Sequence, residues 1–184
     1  MALTGGNLEN RTRPYRKKIE SIKSREAPGT KAWKDNIHTI IVSCAAIVEV
    51  LRLHFEKHDV KADLSFDKAS NELEFVRETL RHNIVYLSMP VSGKMWALLR
   101  DECEEVISQD IPNLKTQLSI YRELVDSYHA IVSTEAYTKA GAVGRHLKDL
   151  NTLAKKLLEV RTFIRELHEK LVTIADGWKI GPSI

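Results

Sequence analysis

HTIIVSCAAIVEVLRLHF, residues 38–55, is the most apolar stretch of a chain that is otherwise rich in charge, and nine of its 18 residues are Ile, Val, Leu or Phe. A membrane-spanning helix needs about 20 apolar residues, and a central acid or Arg costs about 2.5–3.5 kcal/mol. Burying the nine side chains in a protein gains on the order of 15–25 kcal/mol before entropy is subtracted. We therefore predict the central helix of a bundle, with Glu49, Arg52 and Glu56 as its polar stripe. A surface covered by a partner and a degenerate membrane anchor remain open alternatives.

Apolar residues recur at steps of three and four in four segments after residue 36, which predicts helices. The segment from Leu150 to Ile174 alternates these steps without an error, as in a coiled coil. Extended back to about Tyr137, it predicts a helix of about 40 residues, or about 60 Å. We expect this helix to end at Gly177.

The segment before it, from residue 92 to residue 132, contains Pro112, where the apolar pattern slips by one position. This slip predicts a kink or a break. The simplest assembly is an all-α, up-and-down bundle of four to five helices. Residues 92–132 and 137–176 would form a long antiparallel helical hairpin in its C-terminal half. We predict that residues 31–184 are a single helical-bundle domain.

The positive charge of the chain is concentrated at its N-terminus. Residues 1–36 carry nine Lys or Arg and four acids, a net charge of +5, whereas the whole chain has +3. The basic cluster comprises Arg11, Arg13, Arg16, Lys17 and Lys18. Composition predicts a basic, disordered arm over residues 1–30. This arm would bind RNA, DNA or anionic lipid by charge, or would only solubilise the chain.

Two cysteines, Cys44 and Cys103, fall on the apolar faces of predicted helices. No apolar core of a cleavable signal peptide precedes them in the sequence. We therefore expect buried free thiols in the reducing cytoplasm, with a disulfide as the alternative.

Two stretches combine Arg and His at short spacing: RETLRHN, which contains Arg77 and His82, and RELVDSYH, which contains Arg122 and His129. This spacing resembles the Arg-x4–6-His signature of the HEPN superfamily, helical bundles that include many metal-independent RNases. The resemblance implies that the imidazole transfers protons while the guanidinium holds the scissile phosphate. A Glu follows each Arg here, where such families usually have Asn or Asp.

His54 and His58 are four residues apart and are weak candidates for metal ligands. A zinc site needs three or four ligands, so solvated histidines near a helix end are the alternative, and we predict no cofactor.

The sequence as a whole favours a non-catalytic cytoplasmic interaction or scaffold module. Its partner would be another protein or a second copy of the chain. Nucleic acid or an anionic membrane surface would bind through the N-terminal arm. A HEPN-like RNase is the alternative function, and no small-molecule substrate is indicated.

Overall fold

The computed structural model describes residues 5–22, 30–57, 66–85, 94–132 and 142–180, and every regular element in these ranges is helical. In chain order the elements are α1 (Gly5–Glu20), α2 (Lys31–Lys57), α3 (Phe66–Leu80), π1 (Arg81–Val85), α4 (Lys94–Glu105), π2 (Val106–Asp110), α5 (Ile111–Val132) and α6 (Ala142–Ile180). The π-helical turn π1 extends α3, and π2 joins α4 to α5. The described ranges therefore hold five continuous helices, which confirms the predicted all-α bundle.

The apolar helix α2 lies at the centre of the bundle. Helices α1, α3 and α6 pack around it, and thirteen of its side chains are buried. Within the described ranges α2 is the one helix long and apolar enough to cross a membrane, and 61% of its most apolar window is buried inside the protein. Its neighbours have already removed most of its apolar side chains from water, so packing accounts for its composition.

The predicted C-terminal hairpin is formed by the continuous helix α4–π2–α5 and the 39-residue helix α6. The Nζ atom of Lys156 donates a hydrogen bond to Gln117, and that of Lys170 donates one to Asp110 at 2.7 Å. Contacts thus move toward the N-terminus on one helix as they move toward the C-terminus on the other. This order confirms the antiparallel hairpin.

The sequence predicts a kink or a break at Pro112, and the helix continues through this residue without a break. The Ile111 amide donates to the Val106 carbonyl, five residues earlier, so π2 takes up the one-residue slip of the apolar pattern. In the same π register, the Ile107 carbonyl would accept from the amide that Pro112 lacks. The Arg77 Nε donates to this carbonyl instead, at 3.1 Å. A side chain from α3 therefore supplies the donor that proline removes.

One end of the bundle is closed by three buried tryptophans from three helices. The ring of Trp33 lies 5.7 Å from that of Trp96 and 5.8 Å from that of Trp178, and the last two are 4.5 Å apart. A Cβ atom on Gly177 would lie 2.7 Å from Leu99 Cδ2, so any larger residue here would require the Leu99 side chain to move. The prediction that α6 ends at Gly177 was wrong, because this glycine lies inside the helix and allows the two helices to approach.

The N-terminal segment differs from the disordered arm predicted for residues 1–30. Residues 5–20 form α1, which packs against α2 and α3. A narrow inward stripe that includes Leu8, Thr12 and Ile19 is buried, whereas Pro14 is exposed on the other side. The backbone hydrogen bond that Pro14 cannot form is therefore missing on the solvent-exposed side of the helix. Packing on the bundle, rather than local composition, stabilises α1.

The polar stripe of α2 faces α6 and is paired across that interface. Arg52 donates to Glu49 and Glu56, both at 2.8 Å. From α6, His168 lies 3.3 Å from the Glu49 carboxylate and Arg165 lies 3.5 Å from that of Glu56. The hydrogen bond from Arg52 lowers the pKa of Glu49, although burial opposes part of this effect.

The core position of α2 predicts different effects for the same substitution at two of its valines. Val48 is fully buried, whereas Val42 is 42% exposed. Val48→Ala should lower the free energy of unfolding by about 1.5–3 kcal/mol, because it removes buried methyl groups and leaves a cavity. Val42→Ala should change it by less than about 0.5 kcal/mol. Urea denaturation followed by circular dichroism measures both, and equal losses would mean that Val42 is also covered.

The lowered pKa of Glu49 predicts a dependence of stability on pH. Because this pKa lies below its unfolded value of about 4.3, the charged carboxylate stabilises the fold above that pH. The contribution is lost as the pH falls through the folded pKa. Glu49→Gln should therefore destabilise the protein at pH 7, and the difference from wild type should shrink below about pH 4. Glu123→Gln, at an exposed position on α5, is the control, and a difference for Glu49→Gln that stays constant with pH would contradict the assignment.

Candidate binding surface

Basic side chains cover the solvent-facing side of α1. Between Glu9 and Glu20 this helix carries five cations and no acid: Arg11, Arg13, Arg16, Lys17 and Lys18. At 100° per residue, Lys17 lies opposite the buried stripe, with Arg13 and Lys18 on its two sides. These three side chains are exposed. Packing of α1 thus holds the predicted binding residues in a fixed array, which we call the basic ridge.

Arg16 differs from the other cations of the ridge because it is committed to the fold. Its Nε donates to the Glu72 carboxylate at 2.9 Å, and its guanidinium lies 4.2 Å from the centre of the Phe75 ring. The Glu72 side chain is only 3% exposed. An outside anion that took Arg16 would leave a buried carboxylate without its cation, which is costly. Arg16 therefore attaches α1 to α3, and the remaining four cations are the ones available to a partner.

A polar groove of about 320 Å³ runs along the α3 side of the ridge. Its lining residues are Glu9, Arg13, Arg16, Lys68, Asn71 and Glu72. The Lys68 Nζ lies 3.4 Å from the Glu9 carboxylate, and both side chains are well exposed. Exposed pairs of this kind contribute little free energy, so Lys68 can turn toward another anion. Together with Arg13, it extends the positive surface from α1 onto α3.

Arg77 lies at a helix interface, and His82 is exposed at the surface. Besides the Ile107 carbonyl, the Arg77 guanidinium contacts the carboxylates of Glu74 at 2.9 Å and Glu78 at 3.4 Å. These three partners explain Arg77 as a link between α3 and π2. To hold a phosphate, it would have to give up contacts that support the fold.

In the second Arg and His pair, the arginine has carboxylate partners and the histidine is exposed. Arg122 hydrogen-bonds Asp67 on α3 and lies 3.8 Å from Asp126, while His129 is exposed next to the Tyr128 ring. Arg77 is therefore held within the fold, whereas the Arg122 pairs are exposed and contribute little free energy. The geometry argues against phosphate binding by Arg77, and the RNase interpretation stays a prediction.

The predicted metal ligands His54 and His58 have different outcomes. His54 is buried in α2, and its ring lies 5.4 Å from that of Phe55 in an edge-on arrangement. His58 lies outside the described residues. Within the described ranges, no three His, Cys, Asp or Glu side chains are grouped as metal ligands would be. His54 is thus a core residue of α2.

Both cysteines are buried free thiols, as predicted. Burial raises the pKa of Cys103 to about 12 and also raises that of Cys44, with a smaller effect from the charge of Cys103. A thiol attacks as the thiolate, so neither cysteine is suited to nucleophilic chemistry at neutral pH.

Sequence reasoning found the cations of the ridge but missed the residues that complete the surface. Lys68, Asn71 and Glu72 lie 48 to 52 residues beyond the end of α1 in the chain. Their contribution depends on the position at which α1 packs against α3, and no local pattern encodes that position.

Comparison of the chain with protein-family models, with curated proteins and with solved structures finds no match.

The ion pair between Arg16 and Glu72 predicts that two arginines on the same helix contribute differently to stability. Arg16→Ala should lower the free energy of unfolding by about 1–3 kcal/mol, because it leaves the buried Glu72 carboxylate unpaired. Arg13→Ala should change it by less than about 0.5 kcal/mol, since Arg13 is exposed. Urea denaturation of both variants measures the difference. An Arg16→Gln variant that is as unstable as Arg16→Ala would show that the amide cannot replace the guanidinium. Equal stability of Arg13→Ala and Arg16→Ala would contradict the structural role assigned to Arg16.

Proposed function

We propose that this chain is a non-catalytic helical interaction module that binds a negatively charged partner surface through the basic ridge. The carrying observation is the fixed array of exposed cations on α1, uninterrupted by acid between Glu9 and Glu20. Because α1 is already packed on the bundle, docking requires little further ordering of its backbone. The array also raises the rate at which a negatively charged partner is encountered.

The character of the ridge supports recognition by charge rather than by insertion or stacking. The apolar stripe of α1 is turned inward, and its aromatic residue, Tyr15, packs against the core. An interfacial membrane helix needs an apolar face toward the lipid, and a single-strand binding platform needs exposed rings. The ridge is better suited to phosphates or carboxylates on a surface.

The proposal assigns no catalytic step to the protein. Arg77 is held by contacts that support the fold, and the two thiols are buried. A cytoplasmic location is part of the proposal, because free thiols are typical of a reducing compartment.

Binding of a fluorescein-labelled DNA duplex, used as a phosphate-rich probe, tests the ridge by fluorescence anisotropy. Wild-type protein should bind at low salt, with an affinity that falls steeply as salt rises, because counterions are released from the duplex. Arg13→Gln with Lys17→Gln should weaken binding several-fold and reduce the salt slope by about 2. A second series with phosphatidylserine vesicles asks whether the ridge also binds an anionic lipid surface.

The matched control is Lys148→Gln with Lys155→Gln, which removes two exposed cations from α6 instead of α1. It lowers the net charge by the same amount as Arg13→Gln with Lys17→Gln. Because it leaves the ridge itself unchanged, it should keep most of the affinity. Equal weakening by the two double variants would contradict a role for the ridge, and so would binding that does not respond to salt.

A further inference from the structure

A second charged surface of opposite sign lies on α4 and π2. Between Asp101 and Asp110 the chain carries five acids and no Lys or Arg: Asp101, Glu102, Glu104, Glu105 and Asp110. The side chains of Asp101 and Glu105 are 64% and 51% exposed. This run mirrors the five cations and no acid of residues 11–18 on α1. The chain therefore carries two concentrated patches of complementary charge.

The acidic run borders a groove between π2–α5 and α6. The groove has a volume of about 210 Å³ and is lined by Asp110, Asn113, Phe163, Glu166, Leu167 and Lys170. Among the lining residues that the structure describes, Lys170 is the one cation, and it is bound by Asp110 at 2.7 Å and by Glu105 at 3.2 Å. Glu166 remains exposed, and Phe163 is 37% exposed beside it. We call this region, together with the exposed acids of α4, the acidic groove.

The basic ridge and the acidic groove lie on different sides of the bundle. Helix α1 packs against α2 and α3, whereas the acidic groove is built by α4, π2, the start of α5, and α6. Helices α2 and α3 separate the two surfaces, so they cannot meet within one chain. They can meet only between two chains.

We propose that the basic ridge of one copy docks in the acidic groove of a second copy. This inference rests on the proposed function, because it names the negatively charged partner of the same ridge. Arg13 and Lys17 would approach the carboxylates of Glu104 and Glu166, and a guanidinium can lie over the exposed Phe163 ring as Arg16 already does over Phe75. The contact joins two different surfaces, so it is heterologous and leaves a free ridge and a free groove at the ends. Such contacts form rings or open chains rather than two-fold dimers.

Two charge-reversal variants test the docking. The first, the ridge variant, carries Arg13→Glu and Lys17→Glu; the second, the groove variant, carries Glu104→Lys and Glu166→Lys. All four positions are exposed, so both proteins should keep the helical circular-dichroism spectrum of wild type. Light scattering coupled to size-exclusion chromatography measures mass at several protein concentrations, at about 0.1 M and about 1 M salt. The screening length is about 10 Å at the first and about 3 Å at the second.

Wild type should show a mass that rises with concentration at about 0.1 M salt and returns to that of one chain at about 1 M. Each variant alone should remain a single chain under both conditions. An equimolar mixture of the two should associate, because the intact ridge of the groove variant meets the intact groove of the ridge variant. The two reversed surfaces are again opposite in charge and can also pair, so the mass of the mixture should rise with concentration, as it does for wild type, and fall at about 1 M salt.

A wild-type mass that stays at one chain at every concentration would overturn the inference, and so would a mixture that forms no complex. A closed dimer that both variants retain would also overturn it. The DNA-duplex and vesicle assays separate this failure from failure of the proposed function. If the protein binds either probe through Arg13 and Lys17 but does not self-associate, only the proposal of a second copy as partner fails. If it shows neither probe binding nor self-association, the proposed binding function of the ridge fails.

Discussion

Burial of the apolar surface of α2 is the constraint on which the rest of the bundle depends. This helix has buried side chains around most of its circumference, whereas a typical surface helix has a single apolar stripe. One neighbour can cover only part of such a cylinder, so α6, α3 and α1 are all needed. The remaining strip of α2 faces α6 with charges that are paired across the interface: Glu49, Arg52 and Glu56.

The same constraint explains why α1 is both helical and basic on its outer side. The part of α2 that α1 covers needs only a narrow apolar stripe from it, which leaves most of its residues facing water. A helix with so few apolar residues would be marginal alone. The ion pair of Arg16 with the buried Glu72 carboxylate fixes how α1 sits on α3, since any other position would leave that charge unpaired. Structural and exposed cations are therefore interleaved on one helix, and sequence position does not distinguish them.

The fold was predictable where apolar periodicity was strong and long. The seam from Leu150 to Ile174 indicated α6, and the apolar run of residues 38–55 indicated the central helix. Local signals misled where a residue from elsewhere in the chain decided the outcome. Pro112 allowed a kink or a break, and the helix is unbroken there, with Arg77 on another helix supplying the missing donor. Gly177 predicts a helix end, but α6 continues through it to Ile180, with Leu99 packed closely against this position.

The candidate surfaces were likewise predictable from the sequence only in part. The cations of α1 were evident as a cluster, but their arrangement on a helix depended on contacts with α3 that the sequence does not display. The acidic run of residues 101–110 is equally visible in the sequence, yet its separation from α1 becomes evident only once the order of helices around the bundle is known. Because the same exposed cations would serve a second copy and an external polyanion, the two partners exclude each other. By linkage, each would weaken the other's binding by the same factor. Self-association and polyanion binding would therefore be alternative states of one surface, and their balance would depend on the relative concentrations of the two partners.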